Sequence, residues 1–391
     1  MSIIYLDNAA TTRPDPRVVD AMVAVLRDAW GNPSSPHRIG IEADRRLKEA
    51  RRRVAAALGP EVDPAEVVFT SGGTEADAMA LRGAAALARA RGWPPGETGI
   101  VVTAIEHPAV LETARALGAE GFRVTVVPVG PTGVVTPEAV AAACDARTAA
   151  VAVMHVNNEL GAVAPVAAIA AAVRARAPRA LVHVDAVQSF GWLDCAPARL
   201  GADTIAVSAH KIHGPKGAGA LWVRKGLQLP ALVTGGDQEG GRRGGTQNMA
   251  GAVALGAAAE LAAAARAGAG AARLGALRDR LVERVLGGVR RARLTGPTAP
   301  AERAPHIASF RIDGPPSEPL LHALEGRGVY ASSGAACHAG SGSPSHVLTA
   351  IGEDAARRDR AYLRLSLSRD TTEAEVDGAA AALAAAVAEL A

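Results

Sequence analysis

The sequence predicts an α/β chain: a mostly parallel central sheet with helices on both faces, followed by a smaller α+β C-terminal domain. From about residue 15 to 250, short apolar runs alternate with Ala-rich amphipathic stretches, the pattern of strands threaded by helices that cover both sheet faces. A long Ala-rich helical region, roughly 250 to 288, then gives way to more widely spaced strands and helices. A chain of 391 residues suits two or three compact units. The expected division is an N-terminal segment, 1–15, packing with the small domain, then a large domain, 16–255, and a small domain, 256–391.

Six apolar runs read as buried strands of the large domain: Val67 to Thr70, Ile100 to Thr103, Val124 to Val127, Ala150 to Met154, Leu181 to Val184 and Thr204 to Val207. Beyond the loop at Gly296, the small domain is expected to use strands at Ile307–Ile312, Val329–Ala331 and Tyr362–Leu367, a helix at Glu318–Glu325 and a final helix. In such a sheet, ligands gather beyond the carboxyl ends of the strands. The residues that follow each run are therefore the ones that matter for function.

Composition narrows the classes. With 49% hydrophobic and 21% charged residues the chain is globular, not disordered. A net charge of +3, with basic residues scattered along helices, gives no argument for nucleic acid. Cys144, Cys195 and Cys337 are widely spaced without a C-x-x-C, so neither a disulfide framework nor a metal site is expected, and a reducing cytoplasm fits. The first residues lack a basic n-region and a long apolar core, and Glu260 and Arg266 interrupt the most apolar later stretch, so neither a signal peptide nor a membrane span is expected.

The strand ends carry chemistry. Ser208-Ala-His-Lys211 follows a buried run, and a lysine desolvated there and flanked by cations loses its proton easily, as a Schiff-base lysine must. Thr70-Ser71-Gly72-Gly73-Thr74-Glu75 leads into an Ala-rich helix; this is either a phosphate cup at a helix start or a plain connection. His107, before Pro108, can stack on a flat ligand, move a proton, or simply cap the helix. Asn157 and Asn158 supply neutral hydrogen bonds or hold their loop. Asp185 ends a buried strand, a costly place without a cation. Lying 26 positions apart, Asp185 and Lys211 should emerge on neighbouring strands above one pocket. An acid for a pyridine nitrogen, a phosphate cup and a lysine describe a pyridoxal phosphate site.

Further segments, Tyr5–Thr12, Gly31–Ser35, Gly241–Thr246, Ser332–Cys337 and Arg364–Leu367, occur with these in a familiar order. From Tyr5 nearly to its end, the chain resembles the NifS- and IscS-like cysteine desulfurases of the class V aminotransferase fold. The resemblance implies a fold type I enzyme using pyridoxal 5′-phosphate. Lys211 would hold the cofactor and act as base, Asp185 pair with the pyridine nitrogen, and His107 stack on the ring and assist proton transfer. Gln188 and Asn158 would bond near the phenolic oxygen. Gly73, Thr74, Ser208 and His210 would hold the phosphate, with Thr246 reaching the phosphate of a second copy in a homodimer. Arg364, helped by Asn32, would bind the carboxylate of L-cysteine. Departures from the family pattern fall at Ala78, Asp237 and Gly240.

Cys337 lies among small polar residues, Cys-His-Ala-Gly-Ser-Gly-Ser, unlike a packed cysteine, and is the thiol implied to take sulfur as a persulfide. L-Alanine would leave, and sulfur would pass to an acceptor protein or small thiol, iron–sulfur cluster assembly being one destination. The rival readings are a selenocysteine lyase, another enzyme on this fold, or a non-catalytic dimeric scaffold. Cys144 and Cys195 match no motif and are expected to be structural.

Overall fold

The computed structural model describes residues 3–333, 344–357 and 359–390. The chain opens with β1 (Ile4–Tyr5), α1 (Pro16–Asp28) and α2 (Arg38–Leu58). The large domain continues with β2 (Val67–Thr70), α3 (Gly73–Ala90), β3 (Gly99–Thr103), α4 (Pro108–Ala119), β4 (Arg123–Val127) and α5 (Pro137–Ala142). It proceeds through β5 (Thr148–Met154), α6 (Val166–Arg176), β6 (Leu181–Asp185), α7 (Pro197–Leu200), β7 (Thr204–Ser208) and β8 (Gly219–Val223). All six runs expected to be strands are strands.

Among the described residues, the large sheet has seven strands in the order β2-β8-β7-β6-β5-β3-β4. The run from β7 to β4 is parallel, while β8 lies antiparallel to both β7 and β2. Strands β5, β6 and β7 are buried along their whole length, because helices cover both faces. One core lies between the sheet and α1, α2 and α6, and another between the sheet, α3 and α4.

The Ala-rich stretch forms two helices, α8 (Met249–Ala267) and α9 (Gly270–Gly288), separated at Gly268 and Ala269. Small side chains let α8 lie close to α2, and a Cβ at Gly256 would meet Ala50 Cα at 2.8 Å. By length and composition α8 could cross a membrane, but most of it is buried against α1 and α2. Residues of α8 through Ala262 belong to the large core, whereas α9 packs in the small domain. A division at 255/256 would therefore cut through α8.

The small domain comprises α9, β9 (Ala292–Leu294), β10 (Ile307–Asp313), α10 (Ser317–Glu325), β11 (Val329–Tyr330), α11 (His346–Ala350), β12 (Arg360–Ser366) and α12 (Glu373–Glu389). Strands β12, β10 and β9 form an antiparallel sheet. The N-terminal segment joins both units. β1 pairs with β11, and Leu6 lies in the small-domain core. Further along, Thr12 and Asp15 bond to the backbone at His210 and His213 of the large domain.

Candidate active site

The carboxyl ends of β5, β6 and β7 converge on a cavity of about 400 Å³. Ten residues singled out in the sequence line it: Gly73, Thr74, His107, Asn158, Asp185, Gln188, Ser208, His210, Lys211 and Arg364. Ala9 and Ala10 of the N-terminal segment close one side.

Lys211 ends a single 3-10 turn after β7. Its ammonium donates to the carbonyls of Ala9 and Ala10 at 2.6 and 2.8 Å. Asp185 stands on the adjacent strand β6. Burial pushes its carboxyl up to about 6, while the Val187 amide, donating to Oδ1 at 2.9 Å, and Lys211 pull it back. A carboxylate held there favours a cation or a protonated ring nitrogen above it.

His107 caps α4, its Nδ1 accepting from the Ala109 amide at 3.1 Å. That bond leaves the ring proton on Nε2. Burial, with Lys211 and His346 beside it, lowers the imidazole to about 4, so His107 is neutral at physiological pH. The turn before α3 brings glycine where contact is closest: a Cβ at Gly73 would lie 2.7 Å from Val187 Cγ2. The cap residue Gly72 offers no side-chain acceptor, so the helix start is open to an anion. Ser208 and His210 lie across the cavity, His210 with Nδ1 3.2 Å from Thr11 Oγ1.

Gln188 donates from Nε2 to the Ala9 carbonyl at 2.8 Å, and its Oε1 lies 3.4 Å from His306 Nε2. The His306 ring stacks on Trp192. Arg364 is 1% exposed; it pairs with Asp7 at 2.6 Å and donates to the Asn158 carbonyl at 2.9 Å. Its Nε has no hydrogen-bond partner among the described residues. Asn157 ties its own loop, donating to the Ile105 carbonyl and accepting from the Glu159 and Leu160 amides.

Thr246 is not in this cavity. It lines a separate one of about 280 Å³ with Ser71, Gly217 and Arg243. Asn32 is exposed, its Oδ1 accepting from the Ser34 amide at 2.9 Å, and does not line the cavity either. Cys337 lies outside the described residues. Cys144 and Cys195 are buried, and burial pushes both thiols up to about 11.

Sequence reasoning passed over Asp77 and His306. Asp77 lies four residues beyond Gly73 on α3, one turn along the same helix face, which is the signal that could have found it.

Fold and cavity together define the class: an α/β enzyme with a lysine and an acid at neighbouring strand ends and an anion-ready helix start. The Aminotransferase class-V family model matches residues 4–378, and the chain belongs to that family. It is similar to a protein named cysteine desulfurase from Trichormus azollae, 41% identical over 377 residues that cover 96% of this chain and 91% of that one. A protein named cysteine desulfurase IscS from Clostridium botulinum is 37% identical over 376 residues, covering 96% and 91%. A solved structure titled NifS-like protein superposes with a TM-score of 0.90 at 36% identity, covering 100% of both chains.

Proposed function

We propose that the chain is a pyridoxal 5′-phosphate-dependent cysteine desulfurase, taking sulfur from L-cysteine and releasing L-alanine. The observation that carries this reading is the convergence of Lys211, Asp185, His107 and Arg364 on one cavity, in a chain whose relatives bear that name.

The residues fit the cofactor. Gly73 and Thr74 at the start of α3, with Ser208 and His210, would hold a phosphate. Asp185 would meet the ring nitrogen, His107 the ring face, and Gln188 and Asn158 the phenolic oxygen. Lys211 supplies the amine that engages the aldehyde. When bound, the cofactor supplies an electron sink for charge left at the substrate α-carbon.

Arg364 binds the substrate carboxylate, held in aim by Asp7 and the Asn158 carbonyl. Asn32, exposed and outside this cavity, would help only if a second copy brought it to the carboxylate. Lys211 removes the α-proton, and neutral His107, carrying its ring proton on Nε2, can give one there. The Cys337 thiolate attacks the substrate sulfur: a sulfur–sulfur bond forms as the substrate's Cβ–S bond breaks, and the carbon fragment is protonated and leaves as L-alanine. The persulfide then passes its outer sulfur to an acceptor protein or small thiol. Thr246, away from its own chain's cavity, would serve the phosphate of a second copy in a homodimer. Exposed apolar side chains on and just beyond α1, Val19, Val23, Leu26 and Trp30, support such a contact. A reducing cytoplasm suits a thiol that carries sulfur.

The test is Cys337→Ser. The variant should bind cofactor and L-cysteine with unchanged spectra, yet lose sulfur transfer by orders of magnitude. Alanine and sulfide release at the wild-type rate would favour a direct lyase instead.

A further inference from the structure

The cavity holds a second carboxyl near Asp185. Asp77, on α3, lines it, with Oδ1 3.0 Å from His183 Nε2 on β6. His183 Nδ1 in turn meets Thr204 Oγ1 on β7 at 2.9 Å. These three side chains tie α3 to two strands, and none is more than 1% exposed.

Two carboxylates so placed cannot both ionise cheaply where water is excluded. Their partners decide which keeps a proton. Asp185 accepts from the Val187 amide and feels the Lys211 cation, both of which favour its anion. The titratable groups acting on Asp77 are His183, Asp185 and Glu106, and the two carboxyls oppose a charge there. Burial adds to this, pushing Asp77 well above the usual carboxylate range and lowering His183 to about 3.

We propose that Asp77 and His183 share one proton as a pair of zero net charge, leaving Asp185 as the single carboxylate presented to the ring nitrogen. Asp77 and His183 are thus positioning residues for Asp185. The pair fixes one strand-end charge, so that the ligand's ring meets one anion and not two. The identity of the ligand, though not the state of the pair, rests on the cofactor reading above.

Histidine ring nitrogen NMR on the wild-type protein, with and without pyridoxal 5′-phosphate, reads the pair. The His183 shifts should stay constant from about pH 6 to about pH 9, a range in which an ordinary imidazole loses its proton. A His183 ring that titrates there overturns the proposal. Asp77→Asn keeps the size and the hydrogen bond but removes the acid. In that variant the pH midpoint of the bound cofactor's visible absorption should move by less than about 0.3 unit, whereas a shift of about one unit, tenfold in the equilibrium, would mean that Asp77 carries a charge and would overturn the proposal. Wild-type protein that bound no pyridoxal phosphate would overturn the cofactor reading, and the NMR measurement would still decide the pair.

Discussion

Asp185 and Lys211 occupy adjacent strand ends, and the lysine moderates the acid: burial raises the carboxyl while the ammonium pulls it back. Removing the amine removes the group that engages an aldehyde, so Lys211→Ala should abolish the visible absorption of the loaded enzyme and L-alanine formation. Borohydride reduction followed by peptide mapping should label Lys211; label on Lys216 would move the site along the loop. Glu106, beside His107, makes a different prediction. Its carboxyl is fully buried, accepts from Thr103 Oγ1 at 2.6 Å and the Met154 amide at 2.8 Å, and is raised from 4.5 to about 8 by burial. The folded protein therefore binds a proton that the unfolded chain has released between those values. Stability from this group is full below about 4.5 and falls as pH rises towards about 8. Glu106→Gln, which cannot ionise, should remove about 2 kcal/mol of the stability lost between about pH 5.5 and 7.5, measured by denaturant unfolding at each pH. An unchanged slope would refute it. At this scale the positions of Lys211 and Asp185 were legible because each comes at the end of a buried run, whereas Gln188 came only with the family resemblance. Asp77 and His306 were not legible, since helix rotation and a contact across domains decide what they face.

Strand β8 shows what an element contributes beyond its own residues. Its first residue, Gly219, pairs with Thr70 of β2 and Ser208 of β7, and a Cβ there would lie 2.6 Å from Gly72 Cα. The anion-ready turn thus rests directly on the backbone of β8. Gly219→Ala should destabilise the fold by about 1–3 kcal/mol and weaken cofactor binding, as thermal unfolding and a cofactor titration would show. Wild-type affinity would mean that the turn is set elsewhere. The apolar run Ala220–Val223 forms most of β8, and its antiparallel direction is not legible in the sequence, because a continuous apolar run reports burial and not direction. The break between α8 and α9 had a signal in Gly268, overshadowed by alanines on both sides.

At the scale of the molecule, Thr246 separates the chain from its assembly. It lies outside the cavity that holds Lys211, so its proposed partner is the phosphate of a second copy. Lys211→Ala subunits mixed with Thr246→Val subunits should form heterodimers with one undamaged site, roughly a quarter of all sites in an equal random mixture. Activity no higher than that of either parent would end the shared-site idea. The family was legible from motif order and the helix-flanked sheet from the alternation of apolar runs; that Thr246 lies outside its own cavity agrees with the implied role towards a second copy, while the turn after β8 that carries it had no periodicity from which its position could be read.

The N-terminal segment makes this architecture slow to complete. Ala9 and Ala10 close one side of the cavity, but Asn8 is held by the Ser366 carbonyl, 358 residues away along the chain. During synthesis Asn8 waits for β12, the last strand among the described residues, and the intervening chain must close a very long loop before that contact forms. A nascent large domain can already bring β6 and β7 together, with Lys211 and Asp185 on them, and tie the wall that receives the lysine amine through Thr12, Asp15 and Gln188, but it lacks the anchor at Asn8 and Arg364. The site is therefore complete only once β12 has arrived, holding Asn8 through the Ser366 carbonyl and setting Arg364 beside Asp7.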